Sequence, residues 1–177
     1  ALESALAQAH LLHALTVSHQ ARRAPGLCRP SLETNDFLIV QIDTDQAEHP
    51  NFGLELHNQG TLKSIEDIVL NCRELLLNRL STDFPNEWRN RVIFALPILS
   101  TECWLIPIFD KTHKHTPKKS INCETRLSAK MQRALTKEYK HYSEACRCFA
   151  TGKKLVKIAE RTKCLSMFID SLKNSIK

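Results

Sequence analysis

Phe37-Leu-Ile-Val-Gln-Ile-Asp-Thr-Asp45 is the stretch on which the reading of this chain turns. Phe37 to Ile42 is of strand length, almost wholly apolar and rich in β-branched residues. It does not alternate between polar and apolar, so both faces are expected to be buried, as in a parallel sheet. The strand runs straight into two aspartates. In open parallel sheets ligands bind outside the carboxyl ends of the strands, which puts Asp43 and Asp45 where chemistry is expected. Two carboxylates at i and i+2 past a strand end can face one hard cation, and Mg²⁺ meets proteins through one or two carboxylates while keeping several waters. The bland alternative is a polar loop whose aspartates cap the next helix.

Beyond the aspartates lies a polar loop containing Pro50 and Gly53, and then the clearest helix. Ser64 and Asp67 have capping-box spacing, and Ile65, Ile68, Val69, Cys72, Leu75, Leu76 and Leu80 come after them at helical intervals. A loop with Pro85 and Trp88 leads to Val92-Ile-Phe-Ala-Leu96, a second buried strand. Ser100 can cap a short helix starting near Glu102, which Pro107 should kink or end. Strand, helix, strand and helix within roughly 75 residues predict a parallel crossover. The segments 37–42 and 92–97 should then be parallel neighbours, with Glu102 on the same edge as Asp43 and Asp45. A glutamate among apolar residues beside Trp104 needs a cation or a donor. Equally, it could be a first-turn acid favoured by the helix dipole.

Elsewhere the pattern is mostly helical. Leu2, Leu6, Ala9, Leu12 and Thr16 form a stripe over 2–19, broken by the prolines and glycine between Arg22 and Pro30. Residues 111–120 read as a flexible basic loop. Helices are expected near 123–135 and 153–162, and over a final stripe of Leu165, Phe168, Ile169, Leu172 and Ile176. The histidines, among them His49, His113 and His115, are expected to be solvated rather than ligands. No Walker A, G-x-G-x-x-G or G-x-S-x-G motif is present, which disfavours NTPase, dinucleotide and serine-hydrolase readings.

The seven cysteines form no C-x-x-C, and no histidine stands at zinc-finger spacing from Cys146 and Cys148. No basic stretch followed by an apolar core opens the chain, so mostly reduced thiols and a cytoplasmic location are the expectation, with Cys72 and Cys103 as core residues. No apolar run reaches the ~18 residues of a membrane span, so no membrane association is expected. Composition, 42% hydrophobic and 25% charged, is that of a globular chain.

The net charge of +6 conceals a division. Residues 111–177 carry 17 Lys and Arg against 5 Asp and Glu, whereas residues 1–110 are net acidic. This predicts an acidic centre in a 1–110 core and a basic helical region, 111–177, for a polyanion such as nucleic acid. A merely solvated helical face would have the same composition.

A strand ending in D-x-D, then a helix, then a second strand leading to S-x-E-x-W-L resembles toprim-type domains. It is most similar to the nuclease half of the overcoming-lysogenisation-defect family. The segments that carry the resemblance are Leu38-Ile-Val-Gln-Ile-Asp-Thr-Asp45 and Ile98-Leu-Ser-Thr-Glu-Cys-Trp-Leu105. The resemblance implies an α/β fold, a toprim-like parallel sheet flanked by helices, and Mg²⁺ or Mn²⁺ held by Asp43, Asp45 and Glu102. It further implies phosphodiester cleavage, with a role in defence against phage or mobile elements. Toprim domains begin with a strand ending in a glutamate. Glu3, 40 residues before Asp43, is the matching acid, but no strand precedes it.

On this reading the chain is a metal-dependent nuclease. Asp43, Asp45 and Glu102, with Glu3, hold the cation, and Lys118, Lys119, Arg126, Lys130, Lys153, Lys154 and Lys157 grip the phosphate backbone. The main rival is a non-catalytic, degenerate toprim-like module that binds nucleic acid or a partner protein, a second copy included. Other D-x-D enzymes fit less well. Ala47 stands where the aspartate phosphatases want threonine or valine, and the nucleotide-sugar transferase fold needs a longer chain.

Overall fold

The computed structural model describes residues 32–80, 84–132, 142 and 152–175. Strand β1 (Leu38–Gln41) pairs in parallel with β4 (Val92–Ala95), Leu38 opposite Val92 and Gln41 opposite Ala95. Every residue of β4 is buried, as its unbroken apolar run requires. Between the two lie a short antiparallel hairpin, β2 (His57–Asn58) and β3 (Thr61–Leu62), and the helix α1 (Ile65–Asn78). The hairpin had no apolar alternation to announce it. Its turn places Gln59 and Gly60 at φ +49° and +77°, the left-handed pair that tight hairpins require.

Helix α1 begins where its capping residues say it should. The Ser64 hydroxyl accepts from the backbone N–H of Asp67 at 3.1 Å, and Ile65, Ile68, Val69 and Cys72 form the buried face. A single turn, α2 (Asn86–Arg89), precedes β4. Then comes α3 (Glu102–Phe109), which runs two residues past Pro107 rather than ending there. The basic region contributes α4 (Cys123–Met131), α5 (Gly152–Ala159) and α6 (Lys163–Ser175). The expected helix over 2–19 lies outside the described residues.

Ile158, Ala159, Cys164, Leu165 and Ile169 of α5 and α6 lie in the same apolar cluster as Leu38, Val40, Ile68, Phe94 and Trp104. The described part of the basic region is therefore built into the core that holds the sheet. Helix α3 has two apolar faces: Trp104 enters this cluster, while Cys103, Leu105 and Ile106 meet Cys123 and Leu127 of α4 in a second one. A short helix buried nearly all round explains why Glu102 through Pro107 are all buried. Among the described residues, no helix is long and apolar enough to cross a membrane.

Two expectations need correction. Cys103 and Cys123 are joined as a disulfide rather than left as thiols. The packing of α3 on α4 brings their Cα atoms to 5.1 Å, within bridging range, although 20 residues separate them in the chain. The segment 111–120 is also no free basic loop. His113 and His115 are 3% and 7% exposed, and Pro117–Ser120 forms a 3₁₀ turn.

His115 is the centre of a buried chain of hydrogen bonds. Its backbone N–H donates to Arg161 O at 2.8 Å, tying the segment to the turn before α6. Trp104 Nε1 donates to Cys164 Sγ at 2.8 Å, and Cys164 Sγ lies 3.7 Å from His115 Nδ1. His115 Nε2 lies 2.8 Å from Ser120 Oγ, which donates to Thr116 O at 3.1 Å. Because Ser120 gives its only hydroxyl proton to Thr116, its oxygen must accept from His115 Nε2–H. Nδ1 is then the acceptor, and it takes the Cys164 S–H. A neutral imidazole, donating at Nε2 and accepting at Nδ1, completes this chain.

Burial, and then the neighbouring His113 and Arg126, lower the His115 pKa to about 4 from 6.5. Burial lowers His113 as well, aided by Arg126 and Lys119 and opposed by Asp110. Both groups bind protons more readily in the unfolded chain, so the stability they contribute is complete above pH 6.5 and declines as pH falls toward 4. For His115 alone the loss reaches about 3 kcal/mol. Urea unfolding followed from pH 7 to pH 5 should show a falling midpoint, and His115→Gln should flatten that dependence. Alkylation mapped by peptide mass before and after reduction should label Cys103 and Cys123 only after reduction.

Candidate acidic site

The parallel pairing continues beyond the strands, and this brings the D-x-D segment against the loop that leaves β4. Ile42 N donates to Ala95 O at 3.1 Å, Thr44 N to Pro97 O at 3.3 Å and Asp45 N to Leu99 O at 2.9 Å. Thr44, the unspecified middle residue of the motif, is wholly buried. Its hydroxyl donates to Pro97 O at 3.2 Å and accepts from Leu99 N at 2.8 Å. Leu99 has φ +62°, a left-handed conformation uncommon for leucine. It redirects the chain into α3 and brings Thr101 back over the end of β1.

Thr101 then closes the site. Gln41 Nε2 donates to Thr101 Oγ1 at 2.8 Å, and that hydroxyl donates to Asp43 Oδ1 at 2.6 Å. Burial pushes the Asp43 carboxyl above its ordinary range, and the charges of Glu102 and Asp45 push the same way. The Thr101 hydrogen bonds act against them. Glu102, 5% exposed, accepts a hydrogen bond from the Tyr142 hydroxyl at Oε1. The charges of Glu102, Glu124 and Asp43 all reach that phenol.

Asp43 and Glu102 are thus brought within electrostatic reach of each other at the carboxyl end of the parallel pair, with exposed Asp45 beside them. Among the described residues, no group of three or more His, Cys, Asp and Glu side chains is placed to hold a metal ion. The donor chemistry nonetheless fits a hard divalent cation. A half-buried carboxyl with two acidic neighbours is relieved by positive charge, and Mg²⁺ can be held through one or two carboxylates and its own waters.

Of the expected basic grip, Lys119, Lys154 and Lys157 are exposed. Arg126 donates to Lys119 O and, at 3.1 Å, to His113 Nδ1. Lys130 pairs with Asp110 at 3.0 Å. Thr112 and then Lys130 hold the Asp110 carboxyl well below the ordinary carboxylate range. Both cations are therefore engaged within the fold. Glu3, and the side chains of Lys118 and Lys153, fall outside what the structure describes.

Gln41, Thr44, Thr101, Glu124 and Tyr142 were not singled out from the sequence. Thr44 and Thr101 stand inside the two motifs at unspecified positions, where a hydroxyl next to an acid is the available signal. Tyr142 stands outside both motifs. Comparison with protein-family models, with curated proteins and with solved structures finds no match.

Thr44→Val keeps the side-chain shape but leaves Leu99 N and Pro97 O without their hydroxyl partner. The change should destabilise the fold by about 1–3 kcal/mol, read from urea unfolding.

Proposed function

We propose that this chain is a metal-dependent phosphodiesterase acting on nucleic acid, with a toprim-like site of Asp43, Asp45 and Glu102. The observation that carries the proposal is the Asp43 carboxyl, half-buried at the carboxyl end of a parallel strand pair with the charge of Glu102 upon it. A bound Mg²⁺ or Mn²⁺ would supply Lewis-acid stabilisation of phosphate charge and an activated water. Asp43 and Glu102 would hold it, with Asp45 at the solvent side. Gln41 and Thr101 orient Asp43 Oδ1. The exposed ammonium groups of Lys119, Lys154 and Lys157 offer sequence-independent contacts to phosphates. A cytoplasmic role against phage or mobile elements rests on the resemblance alone.

The second reading is a non-catalytic nucleic-acid-binding module. It is favoured by the lack of a three-donor group among the described residues. Both readings share the basic surface, and they separate at the carboxylates.

Affinity for labelled DNA and RNA should fall steeply with salt, with a log–log slope of about −0.9 per neutralised phosphate on duplex DNA and about −0.7 on single strands. Lys154→Glu with Lys157→Glu should weaken binding nearly equally across sequences. Asp43→Asn should leave this binding intact and abolish Mn²⁺-dependent cleavage. Binding without cleavage by the unaltered chain in Mn²⁺ selects the non-catalytic module, and no binding at low salt removes both readings.

A further inference from the structure

We propose that Tyr142 is a positioning residue of the acidic site: its hydroxyl fixes Glu102 through Oε1, so that Oε2 is the oxygen presented beside Asp43 to a divalent cation. The inference rests on the metal-dependent reading above and deepens it. Glu102 is buried in the first turn of α3, where an ionised carboxylate requires a donor. Tyr142, 40 residues away in the chain, is the donor that reaches it.

The charges of three acids from three different elements act on this phenol: Asp43 past the end of β1, Glu102 on α3 and Glu124 on α4. The Cys103–Cys123 disulfide joins the residues directly next to Glu102 and Glu124, and so holds those two acids at neighbouring points of the helix pair. A carboxylate has no proton to give, so in this contact the Tyr142 hydroxyl donates and Glu102 Oε1 accepts. A carboxylate fixed at one oxygen has its other oxygen oriented. Partners that hold metal-ligating groups in this way change metal affinity by roughly 10- to 100-fold when removed.

The test is Mn²⁺ affinity of the full chain, from the loss of the EPR signal of free aqueous Mn²⁺, for the unaltered protein, Tyr142→Phe, Tyr142→Gln and Asp43→Asn. Thermal midpoint and far-ultraviolet circular dichroism are recorded without metal. Tyr142→Phe is expected to bind Mn²⁺ about 10- to 100-fold more weakly at an unchanged far-ultraviolet spectrum. Tyr142→Gln, which keeps a donor, should recover part of the affinity. Should the Phe variant not fold, the Gln variant carries the test through an affinity lying between those of the unaltered chain and Asp43→Asn. Affinity unchanged in both Tyr142 variants, with Asp43→Asn no longer binding, overturns the role of Tyr142 and leaves the metal site standing. Absence of Mn²⁺ binding by the unaltered chain overturns both.

Discussion

Four successive side chains at the start of α3 each reach a different part of the chain, and the candidate site depends on that convergence. Thr101 donates to Asp43 beyond β1, Glu102 accepts from Tyr142, Cys103 is bonded to Cys123 on α4, and Trp104 donates to Cys164 on α6. A turn of helix presents successive residues in different directions. A buried N-terminal turn can therefore be anchored on several sides at once. Leu99, in its left-handed conformation, aims that turn, and Thr44 fixes Leu99 through its backbone N–H.

These anchors are polar or covalent, but they sit inside apolar surroundings that decide their strength. A hydrogen bond exposed to water contributes little, whereas a buried group that loses its partner forfeits its full desolvation penalty. Thr44, Glu102, His115 and Cys164 are all buried, and each has a named partner. The apolar cluster joining β1, β4, α1, α5 and α6 holds the sheet to its helices. Tyr142, which donates to Glu102, packs against the second cluster, with Cys103, Leu105, Ile106, Cys123 and Leu127. Burial lowers the His115 pKa and raises that of the Asp43 carboxyl, in both cases by penalising the charged form.

A chain with an acidic first part and a basic last third could fold as two units. In the described residues the two are continuous instead. Lys163 pairs with Glu66 across the face between α6 and α1 at 3.3 Å, and Arg161 donates to the backbone of Asp110. The basic surface left exposed on α5 is carried by the same body as the acidic edge.

The sequence by itself determined the two apolar strands, their parallel pairing through a capped helix, and the placement of Asp43, Asp45 and Glu102 past strand ends. These come from local pattern: an unbroken apolar run, a serine three residues before an acid, and the period of the helical stripe. Only the tertiary structure decided the rest. The Cys103–Cys123 bridge, the Tyr142–Glu102 contact and the burial of His113 and His115 all link residues that no periodicity relates. The basic, proline-containing stretch 111–120 has the composition of a solvated loop, yet it is buried because its backbone docks at Arg161 and its imidazole finds Ser120 and Cys164. Strands β2 and β3 are two residues each, too short for any alternation of side chains to mark them. Hydrophobic spacing records which face of an element is buried. Which distant polar group meets it there is set by the packing of whole elements, and that is where this acidic site was assembled.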